Sequence, residues 1–109
     1  MSYTILKSEA ELYTLRLLGV HMYWADIVLY ESPCGGRLVI ASDYGTWQHY
    51  WIGIGSRSFK KFLIDTNDEN YMAEKLGATR DDEPTPQFLR FWEEVWPEFI
   101  KQIKDEEGL

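Results

Sequence analysis

Between residues 23 and 52 the chain alternates inward-suited and outward-suited side chains with a period of two, broken twice by clusters of turn-forming residues. No other feature constrains the fold as much. Successive side chains of a strand point to opposite faces, so sustained alternation marks a sheet with one face against a core. His21 to Glu31 places Tyr23, Ala25, Ile27 and Leu29 on one face, and Met22, Trp24, Asp26, Val28 and Tyr30 on the other. The first set is free of charge and is expected to face inward. Ser32-Pro33-Cys34-Gly35-Gly36 reads as a turn by composition. Arg37 to Ser42 returns with apolar residues on both faces (Leu38 and Ile40, Val39 and Ala41), which suits a central strand. After a turn at Tyr44-Gly45, Thr46 to Ile52 puts Trp47, His49 and Trp51 on one side and Gln48, Tyr50 and Ile52 on the other. Strands joined by such short turns pair antiparallel, so the expectation is a meander.

The flanking segments fit around that sheet. Tyr3 to Lys7 is short and β-prone. Ser8 with Glu11 matches a helical capping box, but Tyr13 to Leu17 alternates as a strand does and Gly19 closes it, so a strand is preferred. Gly53 and Gly55 let the chain leave the sheet. Ser56 or Ser58 then caps a helix with Phe59, Phe62 and Leu63 on its apolar side. Thr66-Asn67-Asp68-Glu69 starts a second short helix containing Tyr71, Met72, Lys75 and Leu76, and Gly77 ends it. Ala78 to Pro84 reads as a charged linker. Thr85-Pro86 opens a longer helix with Phe88, Trp92, Val95, Phe99 and Ile103 at helical spacing. Pro97 predicts a break near Trp96, and residues 105–108 are expected to fray. The fold class is therefore α+β: a three- to four-stranded antiparallel meander with two short helices and a longer C-terminal helix, in one domain over residues 1–109.

With 45% hydrophobic residues and five tryptophans, the chain is too apolar to remain disordered. Cys34 is the single cysteine, so no internal disulfide can form, and a reducing cytoplasm is the expected setting. Residues 1–11 lack a basic-then-apolar leader, and no apolar run approaches the roughly 18 residues of a membrane span. A soluble, cytoplasmic protein is the expectation, in whatever cell makes it.

Reactive constellations are weak. Cys34, His49 and Asp43 are the residue types of a cysteine hydrolase, but Cys34 and Asp43 lie at opposite ends of a strand that spans roughly 20 Å. His21 and His49 have no metal-ligand spacing with each other or with a cysteine pair. Gly53-Ile54-Gly55 lacks the third glycine of a dinucleotide loop, Ser58 standing in its place. The expectation is a protein without catalytic residues, metal or cofactor.

Charge is more informative. The net charge is −7, and residues 79–109 hold nine acidic and four basic groups, net −5, against −2 in residues 1–78. Such a chain repels phosphate backbones and favours a basic protein surface. The candidate partner-binding residues are Asp81, Asp82, Glu83, Glu93, Glu94 and Glu98. Helical spacing turns Glu93, Glu94, Glu98 and Lys101 toward water; the plainer reading of every acidic run is solvated surface. An alternative makes Tyr44, Trp47 and Trp51 a base-stacking platform beside Arg57, Lys60 and Lys61, as in single-strand binders. Against it stands the preferred reading, in which the C-terminal helix covers that face with Trp92 and Trp96.

Tyr44-Gly45-Thr46-Trp47, Tyr50-Trp51, Gly53-x-Gly55 and Phe59-x-x-Phe62, followed by Asp68 to Leu76, resemble a pattern in small proteins of bacteriophages and prophages. The resemblance covers roughly His21 to Leu76 and leaves the acidic helix outside. It carries no catalytic residues. What it implies is a phage accessory protein that binds a host protein, by similarity of type to anti-CRISPR inhibitors of a defence nuclease or effector. A single-stranded nucleic-acid binder of phage replication or recombination is the alternative.

Overall fold

The computed structural model describes residues 2–17 and 23–109. Leu18, Gly19, His21 and Met22, which enter the expectations above, lie outside the described residues. The sheet has four strands in the order β1 (Glu11–Leu17), β2 (Tyr23–Ser32), β3 (Gly35–Ser42) and β4 (Thr46–Ile52), every neighbouring pair antiparallel. The strand preferred for residues 13–17 is present, and the Ser8 capping box starts no helix. Residues 2–10 form no regular element and are exposed.

On β2 the inward set is the one that alternation selects, and on β3, where both faces read as apolar, Leu38 and Ile40 are the pair that turns inward. Ala25, Ile27, Leu29, Leu38, Ile40 and Trp51 are all buried. The β2–β3 turn is tighter than its composition suggests, because Gly35 and Gly36 are strand residues and only Pro33-Cys34 bridge the hairpin. Both glycines are there for close approach. A Cβ on Gly35 would sit 1.8 Å from the Trp51 carbonyl oxygen, and one on Gly36 would sit 2.4 Å from the Phe59 ring.

Four helices follow. Ser58 caps α1 (Phe59–Asp65), its hydroxyl accepting from Lys61 N–H, and Asp68 caps α2 (Glu69–Lys75) through Tyr71 N–H. Gly77, at φ +72, closes α2 in the left-handed region where glycine has no Cβ penalty. Thr85 caps α3 (Pro86–Glu94) through Phe88 N–H. The expected break falls at Val95, and α4 (Trp96–Glu106) begins there with Pro97 in its first turn, where no backbone donor is missed. The C-terminal helix is therefore two helices.

The helices cover the inner face of the sheet, but not through the pairs expected. Trp47 meets Phe88 and Phe91 of α3 edge-on at 5.3 and 5.4 Å between centroids. Trp51 packs on Phe59 and Phe62 of α1, and its Nε1–H donates to the Tyr71 hydroxyl at 2.9 Å. Trp92 and Trp96 instead stack on each other at 5.2 Å, and Trp96 donates to Asn67. The break at Val95 turns α4 toward the β1 side, where Phe99 meets Tyr13 at 5.2 Å.

Two segments differ from expectation. Ala78 to Pro84 is no linker: Ala78 is buried, and β5 (Thr79–Arg80) pairs with β6 (Glu83–Pro84) across Asp81-Asp82. Both turn residues have positive φ, +52 and +65. That is the signature of a two-residue hairpin turn, and aspartate tolerates it better than most residues. Nor do residues 105–108 fray. The Glu106 carboxylate accepts from Lys60 Nζ at 2.7 Å and from the Tyr13 hydroxyl at 2.6 Å, and Ser58 donates to Glu107. Lys60 also reaches Glu11 at 2.9 Å. Side chains from β1, α1 and α4 thus lock the end of α4 down.

Candidate partner-binding surface

The acidic candidates divide into two groups. Asp81, Asp82 and Glu83 occupy the β5–β6 hairpin and are exposed. Glu93 and Glu94 end α3 and Glu98 lies in the first turn of α4. A nine-residue helix is about 13 Å long, so α3 sets the two groups apart. With Phe88 and Phe91 turned inward, Glu93 falls on the far side of α3 and is exposed. Among the described residues, no cation lies within ion-pair distance of Asp81, Asp82, Glu83, Glu93 or Glu98.

Glu94 is different. It accepts a hydrogen bond from the Tyr44 hydroxyl and lies 3.9 Å from Arg90. Burial first, and the Glu94 carboxylate second, push the Tyr44 phenol well above its ordinary value. The Arg90 guanidinium lies over the rings of Tyr23 and Tyr44, 5.9 and 5.8 Å from their centroids. Its pKa is raised by a hydrogen bond with Tyr23 and then by the charge of Glu94. Glu94 and Glu98 together line a cleft of about 270 Å³ with Arg16, Tyr23, Trp24 and Tyr44. Alternation and helical period could not reveal this cleft, because its walls come from β1, β2, the β3–β4 turn and both C-terminal helices.

Several other carboxylates are spent on ion pairs within the fold. Arg16 pairs with Asp26 at 3.0 Å, and Arg57 and Lys61 both pair with Asp65, whose pKa is lowered by the bonds from Lys61 and then Arg57. Lys60 keeps its proton well above the usual lysine range: burial works against the charge, and the bonds to Glu106 and Glu11 outweigh it. The three cations expected beside a stacking platform are thus engaged by acids. Of the platform itself, Tyr44 and Trp51 are buried at 9% and 6% exposure, and Trp47 is packed on α3. Those aromatics are core, which removes the residues on which the single-strand reading was placed.

Cys34 is exposed in the β2–β3 turn, at the opposite end of β3 from Asp43. His49 lies over Trp51 at 4.6 Å; burial, then the charges of Lys75 and Arg37, lower its pKa. Asp43 accepts from Trp24 N–H instead. Nothing brings the three side chains together.

A four-stranded antiparallel sheet backed by helices on one face, with exposed acids on α3, α4 and the small hairpin, defines a two-layer α+β protein with an acidic helical side. The chain belongs to the phage family Phage_phiTE_072, whose family model matches residues 4–108. That span includes α3 and α4, so the acidic helices lie inside the family, contrary to the narrower resemblance read from the sequence. No curated protein and no solved structure matches the chain. Among the described residues, no helix is long and apolar enough to cross a membrane.

Proposed function

We propose that this phage protein acts by binding and not by catalysis. It docks its acidic side on a basic surface of a host protein in the host cytoplasm and inhibits that protein. A nuclease or CRISPR effector fits as the partner, since its groove for nucleic acid is basic and carboxylates can occupy phosphate positions.

One observation carries this reading: five of the six candidate carboxylates are exposed and, among the described residues, free of cations, while acids elsewhere are spent on ion pairs. Glu11, Asp26, Asp65 and Glu106 are paired with cations inside the fold. Asp81, Asp82, Glu83, Glu93 and Glu98 are exposed and, among the described residues, have no cation partner. Solvated charges contribute little to stability, but they steer association and form close pairs across an interface. The two groups sit on α3 and α4 and on a hairpin fixed by its own turn, so little order is lost when they dock.

The test combines Glu93→Lys, Glu98→Lys, Asp81→Asn, Asp82→Asn and Glu83→Gln. Asparagine is used at the turn because it tolerates positive φ, and Glu94 is spared because Tyr44 depends on it. The expected outcome is unchanged circular dichroism with loss of the basic host protein that the parent captures from lysate. Capture by the parent should weaken as salt rises. Equal capture by the folded variant would remove the acidic side as the working surface.

A further inference from the structure

We infer that the open face of the sheet is where two copies of this chain meet. All of the sheet's packing described above is on its other face. Antiparallel sheets commonly turn a polar face to water. Here the outward row that crosses the sheet in register is Leu12, Val28, Val39 and Gln48. Leu12 is 63% exposed, Trp24 39% and Ile52 74%. Tyr30 and Tyr50 flank the row, and the Arg37 guanidinium lies over the Tyr50 ring at 5.2 Å.

Charge selects a second copy as the occupant. On a chain of net charge −7, this face carries, among the described residues of the four strands, only Arg16, Arg37 and Asp26. Two such faces meet without the repulsion that the helical sides would impose. A two-fold axis lying across the strands at the Val28–Val39 row also sets Asp26 of one copy beside Arg37 of the other. Aspartate and arginine stand two residues from that row on opposite sides of it, Asp26 next to Val28 and Arg37 next to Val39.

Area supplies the second argument. Four strands of about seven residues present roughly 19 by 23 Å, so two faces bury on the order of 900 Å². A stable interface needs more, about 1,200–2,000 Å². The missing area is available in residues 2–10, which leave the edge strand β1 and form no hydrogen bond to the rest of the described chain. Tyr3, Ile5 and Leu6 are 85%, 90% and 86% exposed there. A nine-residue extended arm reaches about 30 Å, enough to cross a partner's sheet. Two arms, each burying a tyrosine at roughly 150–250 Å² and two aliphatic side chains, bring the total into the stable range.

Light scattering on a sizing column, from micromolar to millimolar protein, tests this. The parent should elute with twice the 12.9 kDa chain mass. Leu12→Lys with Ile52→Lys, at positions too exposed to harm the monomer, should weaken the dimer at least tenfold, as should Tyr3→Ser with Ile5→Ser and Leu6→Ser. Arg37→Glu, which places like charges together at the axis, should weaken it as well. A parent that stays monomeric throughout overturns the inference, and so does a dimer indifferent to both sets. A monomer whose tryptophan fluorescence is quenched by a single-stranded oligonucleotide, in the parent but not in Trp24→Ala, would assign the face to nucleic acid instead. Apart from Trp24, which borders the cleft beside Glu94 and Glu98, these positions lie away from the acidic side, so the dimer result is independent of host binding.

Discussion

Both faces of the sheet carry aromatic rings, yet only the inner rings are enclosed by helices. Inside, Trp47 and Trp51 meet six-membered rings of α1 and α3 edge-on or tilted. Outside, Trp24 and Tyr50 lie under arginines and remain reachable by solvent. Aromatic content alone does not decide burial. What decides it is the company along the strand: Ala25, Ile27 and Leu29 admit no charge, whereas Asp26 and Arg37 keep the other face toward water until another surface covers it. The phenylalanines of the helices then select the uncharged side.

This contrast can be broken most forcefully at Trp51. Trp51→Ala should cost about 3–5 kcal/mol in chemical denaturation, since the ring is buried on Phe59 and Phe62 and its N–H is satisfied by Tyr71. Trp24→Ala, measured under monomeric conditions, should cost less than about 1 kcal/mol. Similar losses at the two positions would mean that the outer face is also part of the folded core. A smaller effect is expected at Gly36. Gly36→Ala drives a methyl into the Phe59 ring and should cost about 1–3 kcal/mol, while Ile52→Thr on the outer side stays within about 0.5 kcal/mol.

The smallest effect concerns the rim between the faces, where Glu106 ties α4 to β1 and α1. Bonds from Lys60, then Tyr13 and Gln102, lower its pKa to about 2 from an ordinary 4.5. A carboxyl with a depressed folded-state pKa binds protons less readily when folded. Its stabilisation is therefore complete above pH 4.5 and is lost as the pH falls toward about 2. Solvent screening keeps the amount at or below about 1 kcal/mol. Glu106→Gln should remove that part of the acid transition, and an identical acid profile in the variant would show that Glu106 is not its source.

Much of the fold was legible because it depends on periodicity and caps. Alternation gave the three hairpin-linked strands and the inward face of β2; Ser56 or Ser58, the stretch Thr66 to Glu69, and Thr85 gave three helix starts; Pro97 gave the break. What escaped depends on long-range pairing or on backbone conformation. Asp81-Asp82 reads as charge, yet its positive φ values make it a turn. Asp105-Glu106-Glu107 reads the same way, yet two of its members are held by residues at least 46 positions earlier. The exposure of Glu93 and Glu98 followed from helical spacing. The tie of Glu94 to Tyr44 crosses 50 residues and left no local sign.

The bond between Tyr13 and Glu106 spans 93 residues, and this sets an order on synthesis. Chains are made at about 5–20 residues per second and fold from the first-made end. The meander of β1 to β4 can pair early, since its contacts are local. Phe99 and Ile103 are made long after β1, and until then the β1 end of the inner face has no cover. The nascent protein therefore carries an uncovered apolar edge until α4 has been made. A translation product stopped in the break at Val95 would keep that edge permanently, as a target for chaperones and proteases.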